Sequence, residues 1–234
     1  MSVETPTVPC WLQTLVAASA DLTAGDLTQF TAPAGTKPRP ASVLVLFGGD
    51  ADSTGERRDV LLLERAHDMR SHAGQVAFPG GAQDRDDVDE IAAALREAQE
   101  ETNLDPDGVE VLAALPPLWL PPSNFAVSPV IAWWRQPSDV CAVDPAETAS
   151  VHTVPLQQLL DPANRATMRH PSGFLGPAFM LPDLVVWGFT AGLLSRIFVV
   201  AGWERPWDAG RVVDLPADLV SSSRRDLDRM PGRP

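Results

Sequence analysis

Residues 61–104, LLLERAHDMRSHAGQVAFPGGAQDRDDVDEIAAALREAQEETNL, constrain this chain more than any other stretch. An apolar strand runs into a glycine pair, a short acidic loop follows, and the next helix carries Arg96, Glu97, Glu100 and Glu101. A helix advances about 100° per residue, so Glu97 and Glu101 sit about 40° apart and Glu100 lies about 60° to the other side of Glu97. Three carboxylates therefore share one face. Ile91, Ala94, Leu95, Ala98 and Thr102 fall on the opposing face at the spacing of a core stripe. Glutamates at these spacings also occur on ordinary solvated helices, but here Phe78-Pro79-Gly80-Gly81 sets a sharply turning backbone just ahead of them. Such a cluster repels itself unless something positive sits there, and a hard divalent cation with oxygen ligands, Mg2+ or Mn2+, suits the donor set.

The stretch resembles the Nudix hydrolases, whose box runs G, five residues, E, seven residues, R-E-U-x-E-E-x-G-U, with U aliphatic. Gly81, Arg96, Glu97, Glu100, Glu101 and Leu104 match it, and Ala98 fills the U between the glutamates. Three positions depart. Gly81 to Arg96 is one residue longer than the box, Asp87 stands where its first glutamate is expected, and Asn103 replaces a glycine. Asparagine tolerates the left-handed conformation of a helix end, so the last change is mild. The insertion leaves Asp87, Asp89 and Glu90 as alternatives for the carboxylate that holds the box arginine. Immediately upstream, Leu61, Leu62, Arg65, Ala66, Arg70, Gly74, Phe78, Pro79, Gly80 and Gly81 are similar to the signature of the coenzyme A pyrophosphatase branch, L-L-[ST]-x-R-[SA], three residues, R, three residues, G, three residues, F-P-G-G. Only Leu63, where serine or threonine is expected, departs from it.

The resemblance implies an α/β fold, the Nudix fold, with a mixed β-sheet sandwiched between α-helices. It implies Glu97 and Glu101 as metal ligands, with Glu100 either a third ligand or the base that activates water. Arg96, preceding the ligands but pointing away from their centre, is expected to orient a box carboxylate. Arg65 and Arg70 flank the approach to the glycines, and guanidinium forks are fitting donors to the diphosphate and 3'-phosphate of coenzyme A. Gly80 and Gly81 allow close approach of backbone to ligand, with the Gly81 carbonyl available to a metal, while His72 and Gln75 are candidates for the pocket wall. Glu147, in a loop before a later strand, is a further candidate for the base.

At 234 residues and 44% hydrophobic, the chain is long enough to bury a full core in one domain. The formal charge is -13, Lys37 is the only lysine, and no basic run is present, which argues against a nucleic-acid partner held by phosphate neutralisation. Cys10 and Cys141 make no metal-type spacing and read as reduced thiols of a cytoplasmic protein. The N-terminal segment lacks the basic n-region of a signal peptide, and no run reaches the roughly 18 apolar residues of a membrane span. No membrane partner is expected, and the sequence leaves a homodimer open.

Along the chain, residues 1–30 read as a helical extension with a helix at Trp11 to Ala20, 31–210 as the catalytic domain, and 211–234 as a disordered tail. Strands are expected at Ala41 to Phe47, Asp59 to Arg65, Val109 to Leu115, Ala126 to Trp134, Ser150 to Val154 and Leu184 to Trp187. Helices are expected at Val88 to Thr102 and Thr190 to Ala201, with a proline-broken surface loop at 116–122. The function implied is metal-dependent hydrolysis of the pyrophosphate bond of coenzyme A or its derivatives. The alternatives are a pyrophosphatase for another small diphosphate such as ADP-ribose, and a non-catalytic module that binds a nucleotide.

Overall fold

The computed structural model describes residues 8–51, 58–69, 72–121, 123–217 and 219–220. Helix α1 (Cys10–Ser19) and the short α2 (Ala24–Leu27) lead into strand β1 (Arg39–Gly49). Strands β2 (Arg58–Arg65), β3 (Val76–Ala77) and β4 (Gly80–Ala82) precede helix α3 (Glu90–Thr102). Strands β5 (Val109–Ala114), β6 (Leu118–Leu120), β7 (Phe125–Trp134) and β8 (Thr148–Pro155) follow. The chain ends with α4 (Leu156–Leu160), β9 (Arg165–Arg169), β10 (Leu175–Met180), β11 (Val185–Val186), α5 (Gly188–Val200) and β12 (Val212–Asp214).

Strands β1 to β8 form one mixed sheet in which β1 and β7 run parallel and the other pairs antiparallel. Its central strands alternate between two buried faces, so each residue's parity decides its layer. Leu44, Leu46, Leu61, Val130 and Ala132 pack with Ala94 and Ala98 of α3. Val45, Phe47, Val60, Leu62, Ile131 and Trp133 pack with Leu12 and Leu15 of α1 and Leu194, Ile197 and Phe198 of α5. The result is the sheet between helices expected of the Nudix fold.

The site depends on a split in this sheet. One edge of β1 is taken by β7 and one edge of β2 by β8. On their facing edges, among the described residues, β1 and β2 pair only at Phe47–Gly49 with Arg58–Val60. Farther along they part. There β4 pairs with Ala41–Val43 of β1, and β3 pairs with Leu63 and Glu64 of β2. The glycine pair is thus itself a strand, filling the gap, rather than the end of one. Gly80 has φ +154°, and a Cβ there would lie 2.2 Å from the Ser42 carbonyl oxygen and 2.7 Å from Val43 Cα, so only glycine fits.

Helix α3 starts two residues later than its apolar pattern predicts, because Val88 is exposed and Asp89 is the N-cap, its carboxylate accepting the Ala92 N–H. Asn103 ends the helix at φ 56°, the left-handed conformation expected of it. The tail expectation needs correction. Strand β12 pairs in parallel with β9 in a second, four-stranded sheet ordered β11-β10-β9-β12, and Leu215 and Leu219 are buried beside Met168. Residues 221–234 lie outside the described residues. Within this sheet Arg165 is almost fully buried. It donates to Glu204 Oε2 at 3.1 Å and Ser195 Oγ at 2.9 Å, with the rings of Phe179 and Trp207 on its guanidinium. Among the described residues no helix is long and apolar enough to cross a membrane, and both cysteines are free and exposed.

Candidate functional site

Helix α3 lies across the mouth of the split and brings its carboxylates to β4. The Gly80 N–H donates to Glu101 Oε2 at 2.9 Å, so a backbone amide in the gap fixes one oxygen of the last box glutamate. Gly81 abuts Glu97: a Cβ on Gly81 would sit 2.5 Å from Glu97 Oε2. The two glycines therefore have distinct jobs, Gly80 packing backbone on backbone and Gly81 leaving room for a carboxylate.

The three glutamates do not share one environment, as helical angles alone would have it. Glu101 is 9% exposed and Glu97 18%, whereas Glu100 is 59% exposed. Burial pushes the Glu101 carboxyl up to about 7; the charges of Glu97 and Glu147 add to this, and the Gly80 N–H and Arg65 oppose it. Burial also raises Glu97, against the pull of Arg96. Two carboxylates are thus held side by side with less positive charge than their ionised forms require.

Arg96 does not point away from the carboxylates, contrary to the helical-wheel expectation. Its Nε and Nη2 grip Asp87 Oδ1 and Oδ2 at 3.0 and 2.9 Å. Its Nη1 donates to Glu97 Oε1 and to Glu100 Oε2, both at 2.9 Å, and Nη2 also reaches the Ala82 carbonyl at 3.2 Å. The bidentate bond with Arg96 holds Asp87 well below the usual carboxylate range and drives the guanidinium pKa up. This resolves the lengthened loop: Asp87 takes the arginine, Asp89 caps the helix, and Glu90 sits in its first turn. The capping role was legible, since Asp three residues before Ala92 at a helix start is a strong N-cap signal. Removing Asp89 from the candidates would have left two.

Arg65 stands on the other flank. Its Nη1 is 3.8 Å from Glu101 Oε1, a looser approach than any made by Arg96. The register between β2 and β8 shifts at this point, with Glu64 opposite Ser150 and Arg65 opposite Thr148, so Ala149 is the extra residue of a bulge. A bulge increases local twist and re-aims the neighbouring side chain. Arg70 lies outside the described residues. His72 and Gln75 bond each other, Nδ1 to Oε1 at 3.0 Å. The Glu147 carbonyl accepts the Ala66 N–H at 2.9 Å, tying the loop before β8 to the end of β2 and bringing its carboxylate near enough to act on Glu101.

The donor set fits a hard divalent cation. Every candidate ligand is oxygen, two are desolvated glutamates short of counter-charge, and the Gly81 backbone lies against one of them. Glu97 and Glu101 would hold such an ion. Among the described residues no three His, Cys, Asp or Glu side chains converge tightly enough to enclose one as they stand. Glu100 is the outlier, turned to Arg96 at the exposed edge.

Comparison with known proteins matches this geometry. The NUDIX domain family model matches residues 37–172, from just before β1 to the turn after β9. "Nudix hydrolase 15, mitochondrial" of Arabidopsis thaliana is 35% identical over 181 residues, 73% of this chain and 61% of that protein. "Uncharacterized Nudix hydrolase NudL" of Citrobacter koseri is 39% identical over 153 residues, 62% of this chain and 77% of that protein. The chain spans about three fifths of the length of the plant relatives it matches. The crystal structure of the Nudix hydrolase RenU from M. smegmatis shares the fold, with a TM-score of 0.50 at 20% identity over 73% of this chain and 90% of that one. The domain match covers more than half of the chain, including the split sheet and the carboxylate helix, and this chain belongs to the Nudix family.

Proposed function

We propose that this protein hydrolyses the pyrophosphate bond of coenzyme A or a derivative of it, releasing 3',5'-ADP and 4'-phosphopantetheine, with Mg2+ or Mn2+ as cofactor. One observation carries the reading. The residues of the coenzyme A signature converge on the carboxylates: Arg65 against Glu101, Gly80 bonded to Glu101, and Gly81 against Glu97. A signature that recurs for packing alone would not need to end at these two side chains.

In this mechanism the cation supplies a Lewis acid for phosphoryl oxygen and lowers the pKa of attacking water. The chain's own residues do the rest. The Gly80 amide and Arg96 fix Glu101 and Glu97 so that neither carboxylate must be ordered during the reaction. Water adds to one phosphorus as the bridging P–O bond breaks, and the departing phosphate takes the bridging oxygen. Glu100, at the exposed edge, and Glu147, close enough to act on Glu101, are the two candidates to accept the water proton. A substrate panel of coenzyme A, dephospho-coenzyme A, ADP-ribose and a dinucleoside polyphosphate, with Mg2+ and with Mn2+ and with products identified by mass, tests the proposal. Cleavage of coenzyme A to the two named products is expected. Preference for ADP-ribose or a dinucleotide would replace the substrate, and binding without turnover on any of them would replace the enzyme with a nucleotide-binding module.

A further inference from the structure

We infer that Arg65 is an exchangeable counter-ion, standing against Glu101 Oε1 until a divalent cation takes that oxygen and then releasing its guanidinium to a substrate phosphate. The inference rests on the metal-dependent diphosphatase reading above, and it concerns how charge moves through that site.

The two arginines at the carboxylates are bound in opposite ways. Arg96 makes five donor contacts of 2.9–3.2 Å, including a two-pronged grip on Asp87. To move, it would have to break a network. Arg65 makes one ion-pair approach of 3.8 Å, and its Nε is buried with no hydrogen-bond partner among the described residues. A buried donor left without an acceptor is costly, so this side chain has something to gain from a ligand that offers two oxygens.

Glu101 is arranged to make the exchange at one atom. Its Oε2 is held by the Gly80 N–H, which keeps the carboxylate from swinging away. Its other oxygen, Oε1, is the one that Arg65 approaches. The Arg65 backbone is fixed as well, its N–H donating to the Gln75 carbonyl and its carbonyl accepting the Gly74 N–H, both at 3.0 Å. Movement is left to the side chain, which is 23% exposed. An incoming dication carries twice the charge of a guanidinium and binds carboxylate oxygen directly, so it wins the competition for Oε1. The displaced fork, two residues beyond the buried part of β2, then meets the side of the site where a diphosphate must lie to touch the same cation.

The exchange makes an unusual demand: removing a residue of the site should tighten metal binding. Titration of Mn2+ by calorimetry into the substrate-free protein is expected to give a Kd about three- to tenfold lower for Arg65→Ala and Arg65→Gln than for wild type, in the range of a partly screened ion pair. Arg65→Lys, which keeps the charge, should stay near wild type. With Mn2+ saturating, KM for the cleaved diphosphate should rise more than tenfold in Arg65→Ala while kcat changes less, with Arg65→Lys in between because ammonium lacks the fork. The glutamine variant carries the test if the alanine variant does not fold. Unchanged Mn2+ affinity in both neutral variants overturns the inference, and weaker affinity overturns it in favour of an arginine that merely braces Glu101. Absence of turnover by wild type on every diphosphate would overturn the functional reading instead, while tightened Mn2+ binding would still support the counter-ion.

Discussion

Two regions meet at the carboxylates of α3, and they are built to different standards of rigidity. The loop between β4 and α3 and the helix itself form a closed network, with Arg96 tied to Asp87, Glu97, Glu100 and Ala82 and with Asp84 and Asp87 bonded to each other across a turn. The end of β2 offers one long contact from a bulged strand. A site that must present ligands in fixed geometry and also admit a charged substrate needs both. The first lowers the cost of ordering the carboxylates before the cation arrives, and the second leaves a positive group able to change partners.

If the closed region holds the ligands, its loss should dominate every other effect. Glu97→Gln and Glu101→Gln are each expected to lower kcat roughly a thousandfold, the equivalent of about 4 kcal/mol of transition-state stabilisation, with far-UV spectra unchanged. Each should also abolish most of the thermal stabilisation given by Mn2+, since a cation that binds only the folded state raises Tm by mass action. Full turnover in both variants, still dependent on metal, would place the ligands elsewhere.

A smaller loss, about tenfold to a hundredfold in rate, is expected for Arg96→Ala, because Glu97 and Glu100 would then be free to turn rather than absent. The effect should shrink in an Asp87→Ala background, where the guanidinium has already lost its two-pronged anchor. Additive losses in the double variant would mean that Asp87 and Arg96 act separately and that the lengthened loop contributes no positioning.

The contrast between these regions was partly readable in the sequence, for physical reasons. The spacing of Arg96, Glu97, Glu100 and Glu101 is local to one helix, so periodicity alone places it. Apolar runs are likewise local, and they placed β1, β2 and β7, though the sorting of their residues into two layers emerged only from the structure. What escaped was long-range or conformational. A cap signal sets Asp89 apart in the run from Asp84 to Glu90, but nothing there ranks Asp87 against Glu90 until the turn is closed. In the second sheet β11 was expected, at Leu184 to Trp187, but β9 and β10 were missed because β9 carries Arg165 and Arg169 and β10 carries Pro177, a composition that reads as loop. The burial of Arg165 depends on Glu204, Ser195 and Trp207, all at least 30 residues away, and no periodicity reports that. Even the bulge that aims Arg65 depends on register between β2 and β8, which a single strand does not encode.

The glycines separate packing from chemistry within the same three-residue strand. Gly80→Ala is expected to destabilise the fold by about 1–3 kcal/mol, through overpacking against β1 and strain at positive φ. Gly81→Ala should leave Tm closer to wild type, because its new methyl meets the end of the Glu97 side chain, but should raise the Mn2+ concentration needed for half-maximal activity. Thermal melts and metal titrations of the two variants make the measurement. Equal stability losses with unchanged metal demand would show that both glycines serve packing alone.

The smallest expected effect is a pH dependence of the metal-free protein. In the folded chain burial raises the Glu101 carboxyl to about 7 from an ordinary 4.5, so between these values the folded state keeps a proton that the unfolded state has lost. The contribution of this group is therefore fully present below pH 4.5 and is lost as pH rises through about 7. With metal chelated, the Tm of wild type should fall relative to that of Glu101→Gln over this window and level off above it, other titrating groups being common to both proteins. Adding Mn2+ should reverse the sign, because the ionised carboxylate is the form that binds a cation, and its advantage grows as the proton leaves. Parallel Tm curves for the two proteins without metal would mean that Gly80 and Arg65 already compensate the burial of Glu101. The Arg65 side of the site would then be as well neutralised as the Arg96 network, and the asymmetry between the two flanks would vanish.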